Sequence, residues 1–184
     1  IVVILRPTAR PFLHHDLELA TTLIAQAGIA IENARLFTRV KTLAERDGLT
    51  GLYNRREFFR QAEQLFHQSA MEDTALSAIM FDVDHFKRFN DVYRHAVGDQ
   101  VLKLVAMVTS ESVRRSDVVG RYGGEEFAVL LPNASPRVAM DVAERIRHSI
   151  EERYLGHLAV GNLSVTVSVG IAFRVGQDDL NTLL

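Results

Sequence analysis

The chain has 184 residues, of which 47% are hydrophobic and 24% are charged, an ordinary composition for a globular domain with a sizeable core. Its formal net charge of −2 offers no broad basic surface, so we expect no sequence-independent binding to nucleic acid. The absence of cysteine excludes disulfides, thiolate metal sites and cysteine nucleophiles. The longest apolar runs fall far short of the roughly 20 residues that a membrane span needs, and no signal-peptide pattern precedes them. We therefore expect no membrane span and a cytoplasmic setting.

The first segment begins abruptly with a strand-like run, Ile1–Leu5, which indicates a fragment of a longer protein. From Asp16 to about Glu45, apolar residues recur at three- and four-residue steps, which predicts one long helix. Such a helix of about 30 residues would be about 45 Å long. This length favours a projecting dimerisation helix, although a helix lying on its own domain's core fits the same pattern. Gly28 would cost the helix roughly 1 kcal/mol.

A turn-rich segment at Arg46–Phe58 predicts a boundary between residues 1–46 and a second domain at residues 47–184. A helix is expected next, at about Arg56–Ser69. The almost entirely apolar run Ala75–Phe81 is too short for a typical helix and predicts a strand that is buried on both faces.

The middle of the chain predicts two helices separated by a loop. A short helix is expected at about His85–Tyr93, followed by a loop that closes at Gly98 and Asp99. From Val101 onward the apolar residues keep a helical period, which predicts the second helix.

The last third of the chain predicts a hairpin, a helix and a strand. Two apolar runs flank Gly123 and Gly124, a pattern typical of a β-hairpin. Ser135 as N-cap and Pro136 at the first helical position then begin a helix, and residues 163–173 alternate like a strand. The order of elements predicts an α+β fold with a central mixed, largely antiparallel sheet that is flanked by helices.

Three carboxylates are predicted to meet at one rim of this sheet. Asp82 lies at the end of the buried strand, and Glu125 and Glu126 follow the glycines of the hairpin. If the hairpin pairs beside the buried strand, these side chains converge and repel one another unless a cation compensates. An all-oxygen ligand set of this kind suits Mg²⁺ held jointly with substrate phosphates.

The residues around the carboxylates are consistent with a phosphate ligand. Gly123 and Gly124 leave bare backbone that a ligand can approach, while Lys87 and Arg121 could neutralise phosphate charge. Taken alone, the Gly-Gly-Glu-Glu run also fits a solvated turn, and Asp84 also fits a helix cap. The residues by themselves therefore support only a general hypothesis of metal-assisted phosphate chemistry.

Four stretches of the sequence together resemble one known family, the GGDEF-type diguanylate cyclases. They are "DGLTGLYNRREF", "FDVDHFKRFND", "GDQVLKLVA" and "RYGGEEF", the last matching the GGEEF form of the family signature. The resemblance covers about Asp47–Phe173. It implies a ferredoxin-like nucleotidyl-cyclase palm, preceded by a long dimerisation and signalling helix.

The resemblance also implies an activity and a set of metal ligands. The enzyme would condense two GTP into cyclic di-GMP and two pyrophosphates, with one GTP bound to each subunit of a homodimer. Asp82, Glu125 and Glu126 would be the catalytic carboxylates. Together with the main-chain carbonyl of Val83 they would hold two Mg²⁺ ions in each half-site, with Mn²⁺ as an alternative.

The same resemblance implies how GTP would be bound. Asn90 and Asp99 would accept hydrogen bonds from guanine N1 and N2. The glycines would admit the phosphates, which Lys87 would help to neutralise. The full set of substrate-binding residues is Lys87, Asn90, Asp99, Gly123, Gly124, Phe86 and Arg121.

A further pattern, Arg114-Arg115-Ser116-Asp117, stands ahead of the glycines. It resembles the family's inhibitory RxxD site, at which Arg114 and Asp117 would bind the product cyclic di-GMP, with Arg145 completing the site. As a bare spacing, the same four residues also fit a charge cluster at a helix end.

The N-terminal segment resembles the end of a GAF sensory domain. "LATTLIAQAGIAIENARLF" is similar to the last GAF helix and "IVVILRPTARPF" to the strand and loop before it. The resemblance implies that residues 1–46 are the end of a sensor and its coiled-coil linker, with Gly28 a weak point in the linker helix.

Two departures from the family pattern stand out. Arg94 lies where the family often has glycine, and the chain stops at Leu184, before the family's closing helix and final strand. We therefore expect a catalytic domain that is truncated at its C-terminus. A catalytically silent module that binds GTP or cyclic di-GMP and signals through a partner is the alternative function.

Overall fold

The computed structural model describes residues 13–153, 165–174 and 180–183. The chain divides into two compact units between Ala44 and Glu45. Residues 1–12, which resemble the end of a sensory domain, and residues 163–164 of the predicted last strand lie outside the described residues.

The described part of the first unit forms one long helix, α1 (His14–Glu45), which ends at the first residue of the second unit. It begins where the Asp16 carboxylate accepts a hydrogen bond from the Leu13 N–H at 2.9 Å, and it runs through Gly28 without a break. No residue of α1 is buried, although the helix carries many large apolar side chains. They are Leu17, Leu19, Leu23, Ile24, Ile29, Ile31, Leu36, Phe37, Val40 and Leu43. The predicted long helix is confirmed, and its apolar side chains are exposed within the unit.

The second unit contains five helices and four strands in the described part of the chain. The helices are α2 (Arg55–Glu72), α3 (Phe86–Tyr93), α4 (His95–Glu111), α5 (Pro136–Glu152) and α6 (Leu180–Leu183). The strands are β1 (Leu76–Val83), β2 (Val118–Arg121), β3 (Glu126–Pro132) and β4 (Val167–Phe173).

The four strands form one sheet in the order β2-β3-β1-β4, and each neighbouring pair is antiparallel. The predicted hairpin is confirmed as β2 and β3, and it pairs beside β1. Before the sheet begins, residues 46–53 close a turn in which the Asp47 N–H donates to the Leu52 carbonyl at 2.8 Å. The Tyr53 N–H then donates to the carbonyl of Val119 on β2 at 3.3 Å.

Helices cover both faces of the sheet, so the second unit has a core on each side. On one face, α2 packs its Phe58 and Ala62 against strand residues such as Ala78 and Leu130. On the other face, α4 and α5 contribute a larger cluster. Alternation along each strand sends neighbouring residues to opposite cores, which explains why the strands are almost continuously apolar.

Helix ends follow local chemistry, with one departure from the prediction. Asn54 caps α2 by accepting from the Glu57 N–H at 3.0 Å, and Ser135 caps α5, which starts at Pro136 as predicted. The predicted loop at Gly98 and Asp99 is wrong, because both residues lie inside α4. Glycine disfavours helix interiors, but close packing at this position requires it, as described below.

Among the described residues, no helix combines the length and the apolar character needed to cross a membrane.

Candidate active site

The pairing of β1 with β3 sets two carboxylates side by side. Asp82 lies directly opposite Glu126 on β3, and opposite Ser168 on β4. Directly opposed residues of antiparallel strands point to the same face, and both carboxylates are exposed. They lie on an open cleft of about 380 Å³ that also includes Met80 and Gly170. We call Asp82, Glu125 and Glu126 the carboxylate rim.

The glycine turn between β2 and β3 is fixed by backbone hydrogen bonds. The Val83 N–H donates to the Glu125 carbonyl at 3.3 Å, and the Tyr122 N–H donates to the Glu126 carbonyl at 2.8 Å. A side chain at Gly123 would collide with the Glu126 carboxylate, whereas the position around Gly124 is open. The bare backbone of Gly123 thus gives the Glu126 side chain its place.

The Arg121 side chain stabilises this turn through hydrogen bonds. Its guanidinium donates to the Gly124 carbonyl at 2.6 and 3.2 Å, and to the two oxygens of Asp47 at 3.0 and 3.3 Å. Arg121 was predicted to bind phosphate, but in this structure its donors contact the protein itself. The turn that carries the glutamates is therefore tied to the residues that follow α1.

Asp47 is itself held by several donors. The Thr50 N–H and hydroxyl donate to its Oδ1 at 2.9 and 2.7 Å, in addition to the Arg121 guanidinium. Burial acts to raise the pKa of Asp47, but the hydrogen bonds from Thr50 and Arg121 outweigh it and leave the pKa below its ordinary value. Asp47 is therefore charged when it meets the guanidinium at neutral pH.

Asp84 joins β1 to β4 and does not cap α3. Its two carboxylate oxygens accept from the hydroxyls of Thr166 and Ser168, each at 2.6 Å. These hydrogen bonds, with Ser168 first, lower the pKa of Asp84 against a smaller opposing effect of burial. The residue at the N-cap of α3 is His85, which makes no side-chain capping bond.

The carboxylate rim suits a hard divalent cation by the chemistry of its donors, because carboxylate and carbonyl oxygens are the ligands that Mg²⁺ prefers. Opposed like charges such as Asp82 and Glu126 also destabilise a strand pair unless a cation lies between them. Within the described residues, no three acidic or histidine side chains already surround one point. The residues present fit Mg²⁺, but they do not form a closed ligand set by themselves.

A second part of the site lies where α3 meets α4. The Asn90 side chain packs against Gly98, where a Cβ atom would approach the Asn90 carboxamide and come within 3.1 Å of Phe86. Asn90 Oδ1 is buried and accepts no hydrogen bond among the described residues. Phe86 is buried beneath it and stacks on Phe89. An unpaired buried acceptor is costly, so a ligand donor that reaches Asn90 would be stabilising.

The other predicted contacts of this part are exposed. Asp99 follows Gly98 on α4 and is open to solvent, as is Lys87 in the first turn of α3. The two helices are joined by Arg94 alone, which serves as C-cap of α3 and N-cap of α4. We call residues 90–99 the helix corner.

The predicted inhibitory residues lie on a separate turn. The Arg114 N–H donates to an Asp117 carboxylate oxygen at 2.7 Å, and the Asp117 N–H returns a bond to the Arg114 carbonyl at 3.0 Å. Arg145 on α5 donates to the Ser112 carbonyl at 2.8 and 3.1 Å. The structure thus brings Arg145 to the backbone that leads into this turn, while the Arg114 side chain is exposed.

Three residues with a role in the site's geometry were not predicted from the sequence. Asp47 begins the stretch "DGLTGLYNRREF", but its contact with Arg121 spans 74 residues and leaves no local signal. Thr166 and Ser168 orient Asp84 from the start of β4, where the apolar alternation predicts only the strand itself.

Comparison with known proteins identifies the family of this chain. A family model described as the diguanylate cyclase GGDEF domain matches residues 44–184. Diguanylate cyclase A of Treponema denticola is 37% identical over 168 residues, which cover 90% of this chain and 44% of that protein. Diguanylate cyclase VdcA of Vibrio cholerae is 36% identical over 178 residues, covering 94% of this chain and 49% of that protein. This chain therefore spans less than half the length of either relative.

Solved structures show the same fold. The coiled coil and GGDEF domain of DgcB from Caulobacter crescentus, in complex with c-di-GMP, matches with a TM-score of 0.81 and 29% identity, covering 90% of this chain and 87% of that chain. Diguanylate cyclase SiaD from Pseudomonas aeruginosa, in complex with its activator SiaC, matches with a TM-score of 0.72 and 32% identity, covering 92% of this chain and 65% of that chain.

Proposed function

Since the chain belongs to the GGDEF family of diguanylate cyclases, we propose that it condenses two GTP into cyclic di-GMP and releases two pyrophosphates. The observation that carries this proposal is the pairing of Asp82 with Glu126 beside a glycine turn. Two exposed carboxylates on adjacent strands, next to bare backbone, suit a divalent cation and a triphosphate. Residues 47–184 would form the catalytic domain, and residues 1–46 the end of a sensor and its linker.

In this proposal the carboxylate rim and the Val83 carbonyl hold two Mg²⁺ ions, with Mn²⁺ as an alternative. When bound, the metal lowers the pKa of the attacking hydroxyl and neutralises charge on the phosphates. The chain's own contribution is to keep the carboxylates opposed through the strand register. Gly123 and Gly124 would present bare backbone to the phosphates, with open space at Gly124, and Lys87 adds a positive charge from α3.

The helix corner would bind the guanine base. Guanine presents donors at N1 and N2, for which the Asp99 carboxylate and the Asn90 carboxamide oxygen are suitable acceptors. Phe86 supports this contact from beneath, because it is buried and packs close to Gly98. The unpaired, buried Asn90 Oδ1 supports a ligand donor at this position.

The reaction needs two copies of the site. The 3′-hydroxyl oxygen of one GTP attacks the α-phosphorus of the other, and pyrophosphate leaves; a second such step closes the ring. Each subunit supplies one GTP, so apposition of two subunits provides the orientation. The unburied apolar side chains of α1 support a helical dimer contact in this role, and an upstream sensor would act through it.

Product inhibition is part of the proposal. Arg114 offers a guanidinium fork to a phosphate or a guanine edge, and Asp117 offers an acceptor. Arg145 supports the site from α5 through its bonds to the Ser112 carbonyl. The complex of DgcB with c-di-GMP shows that a relative of this fold binds the product.

A silent module that binds GTP or cyclic di-GMP is the second candidate. The observation in its favour is that no three acidic side chains among the described residues surround one point. Such a module would bind nucleotide and signal through a partner without turnover.

The deciding experiment incubates the purified protein with GTP and Mg²⁺ and measures pyrophosphate and cyclic di-GMP by chromatography. We expect product from the wild type and a loss of at least about a hundredfold in Glu126→Gln, since charge neutralisation at the metal contributes several kcal/mol. Glu63→Gln, on the exposed surface of α2, is the matched control and should retain activity. Bound GTP without product from the wild type would favour the silent module.

A further inference from the structure

The backbone at Arg94 adopts a conformation that is almost exclusive to glycine. Its φ of 73° and ψ of 156° place it in the region that residues with a Cβ rarely enter. A side chain at such a position is unfavourable, and it persists only where the surrounding structure enforces it. The enforced position lies at the centre of the helix corner.

Hydrogen bonds on both sides of Arg94 enforce this conformation. Its N–H donates to the Asn90 carbonyl at 2.8 Å, and its carbonyl accepts from Val97 at 3.1 Å and from Gly98 at 3.3 Å. The same bonds bring α3 and α4 together so that the Asn90 carboxamide packs on Gly98. The backbone of Arg94 is therefore bonded directly to Asn90 and Gly98, which pack together at the candidate base pocket.

The side chain of Arg94 is exposed and forms no hydrogen bond or ion pair with any described residue. Glycine would satisfy the backbone at lower cost, so the backbone alone gives no reason for an arginine here. An unpaired guanidinium beside the pocket is instead available to a ligand.

Guanine has an edge that the proposed pocket leaves without a partner. Asn90 and Asp99 are assigned to its donors at N1 and N2, whereas O6 and N7 are acceptors. A bidentate arginine is the commonest specific partner for that acceptor pair. Arg94 stands four residues after Asn90 and five before Asp99, and its backbone is hydrogen-bonded to Asn90 and Gly98, so this residue lies at the candidate base pocket.

We propose that Arg94 is a specificity-determining residue whose guanidinium donates to guanine O6 and N7. This inference rests on the proposed function, because it requires guanine at the helix corner. It assigns the acceptor edge of the base to the one residue that joins the two helices.

The experiment compares GTP with 7-deaza-GTP, which lacks the N7 acceptor. Binding is measured by calorimetry in the Glu126→Gln background, so that substrate is not consumed. We expect the protein with Arg94 to bind GTP about tenfold more tightly than 7-deaza-GTP. Arg94→Ala should weaken GTP binding by about tenfold or more and abolish the difference between the two nucleotides.

Two further variants separate the guanidinium from the backbone. Arg94→Gly removes the side chain and relieves the backbone, so it should also lose the difference while melting at a higher temperature than Arg94→Ala. It also replaces Arg94→Ala if that variant does not fold. Arg88→Ala removes another exposed cation from α3 and should leave the ratio of the two affinities unchanged.

The outcomes distinguish this inference from the proposed function. If GTP binds but the ratio of affinities is the same in the Arg94 variants, or if the parent protein does not distinguish the nucleotides, the Arg94 contact is wrong and the proposed function stands. If GTP does not bind under any condition, the proposed function fails and the contact fails with it.

Discussion

The carboxylate rim and the helix corner are built in opposite ways. The rim is set by a sheet register that opposes Asp82 and Glu126, and a buried core lies behind it. The corner depends on one unfavourable backbone conformation at Arg94 and on close packing of Asn90 against Gly98. The sheet register therefore sets the positions of the rim carboxylates, whereas the positions of the corner residues depend on a few local contacts.

The rim and the corner should therefore differ in their tolerance of amino-acid substitutions. Substitutions that leave the sheet intact should leave the opposed carboxylates in place, since a register is fixed by many pairs at once. At the helix corner, a substitution that adds or removes only a few atoms should disturb the local packing. The glycine turn of the rim also depends on a single side-chain link, which runs from Asp47 through Arg121 to Gly124.

The largest effect on folding is expected when this link is removed. Arg121→Ala leaves the charged Asp47 without its guanidinium and the Gly124 carbonyl without its donor. We expect a loss of about 2 kcal/mol in the free energy of unfolding, measured in urea, and at least a tenfold loss of product formation. A phosphate-binding arginine would lose turnover without this loss of stability.

Arg147→Ala is the control for that comparison. Arg147 makes ion pairs with Glu144 and Glu151 on the surface of α5, and exposed pairs of this kind contribute about 1 kcal/mol or less. If Arg121→Ala is no more destabilising than Arg147→Ala, the hydrogen bonds of Arg121 to Asp47 and Gly124 do not stabilise the turn.

At the helix corner, Gly98→Ala should have the next largest effect. The added methyl would collide with the Asn90 carboxamide and crowd Phe86, and overpacking of this kind costs about 1–3 kcal/mol. Alanine's better helix propensity offsets about 1 kcal/mol, so we expect a net loss of up to about 2 kcal/mol and weaker GTP binding. Calorimetry of unfolding and of GTP binding measures both.

The control for Gly98 is Gly28→Ala, in the middle of α1. No atom lies within 4 Å of a Cβ there. This substitution should therefore increase the helix signal in circular dichroism without lowering the free energy of unfolding or the affinity for GTP. A harmless Gly98→Ala would contradict the close packing at the corner.

The pH dependence of Asp47 provides a smaller, directional effect. Because folding lowers its pKa, its carboxylate stabilises the fold above the unfolded pKa of about 4, and that contribution is lost as the pH falls through the lowered value. Asp47→Asn should therefore reduce the free energy of unfolding by about 1 kcal/mol at neutral pH. Measured near pH 2, the variant and the wild type should be equally stable; a constant difference would exclude the charged interaction.

The smallest effects on folding are expected at the two glycines of the turn. Gly123→Ala would displace only the end of the flexible Glu126 side chain, and Gly124→Ala meets open space, so each should change stability by about 0.5 kcal/mol or less. Their effects on turnover should differ, because only Gly123→Ala moves a carboxylate of the rim. If Gly123→Ala turns over GTP as fast as the wild type in a coupled pyrophosphate assay, the position of Glu126 is not critical.

Much of the fold was predictable because its signals are local. The apolar runs of β1 and β3, the Ser135-Pro136 start of α5 and the glycine hairpin are each readable over a few residues. Adjacency of the hairpin and β1 then followed from the preference for short connections. The opposition of Asp82 and Glu126 is a consequence of that pairing.

The parts that were missed depend on contacts between distant residues or on backbone geometry. Gly98 was expected in a loop, because glycine weakens helices, whereas the structure needs it for the approach of Asn90. No feature of the sequence near Arg121 reports its contact with Asp47. The positive φ of Arg94 has no signal in arginine itself, and the glycine that the family often has at this position is its only indication.

The register of β1 against β3 also limits how the rim can fail. Strand pairing shifts only in whole residues, and a shift by one residue would turn Asp82 toward the core that Phe81 and Val83 now occupy. Intermediate positions do not exist, so the opposed pair is either complete or lost together with the sheet. On heating, the opposed carboxylates and the secondary structure should therefore be lost along a single curve, and any graded change at the rim has to come from elements outside the strands.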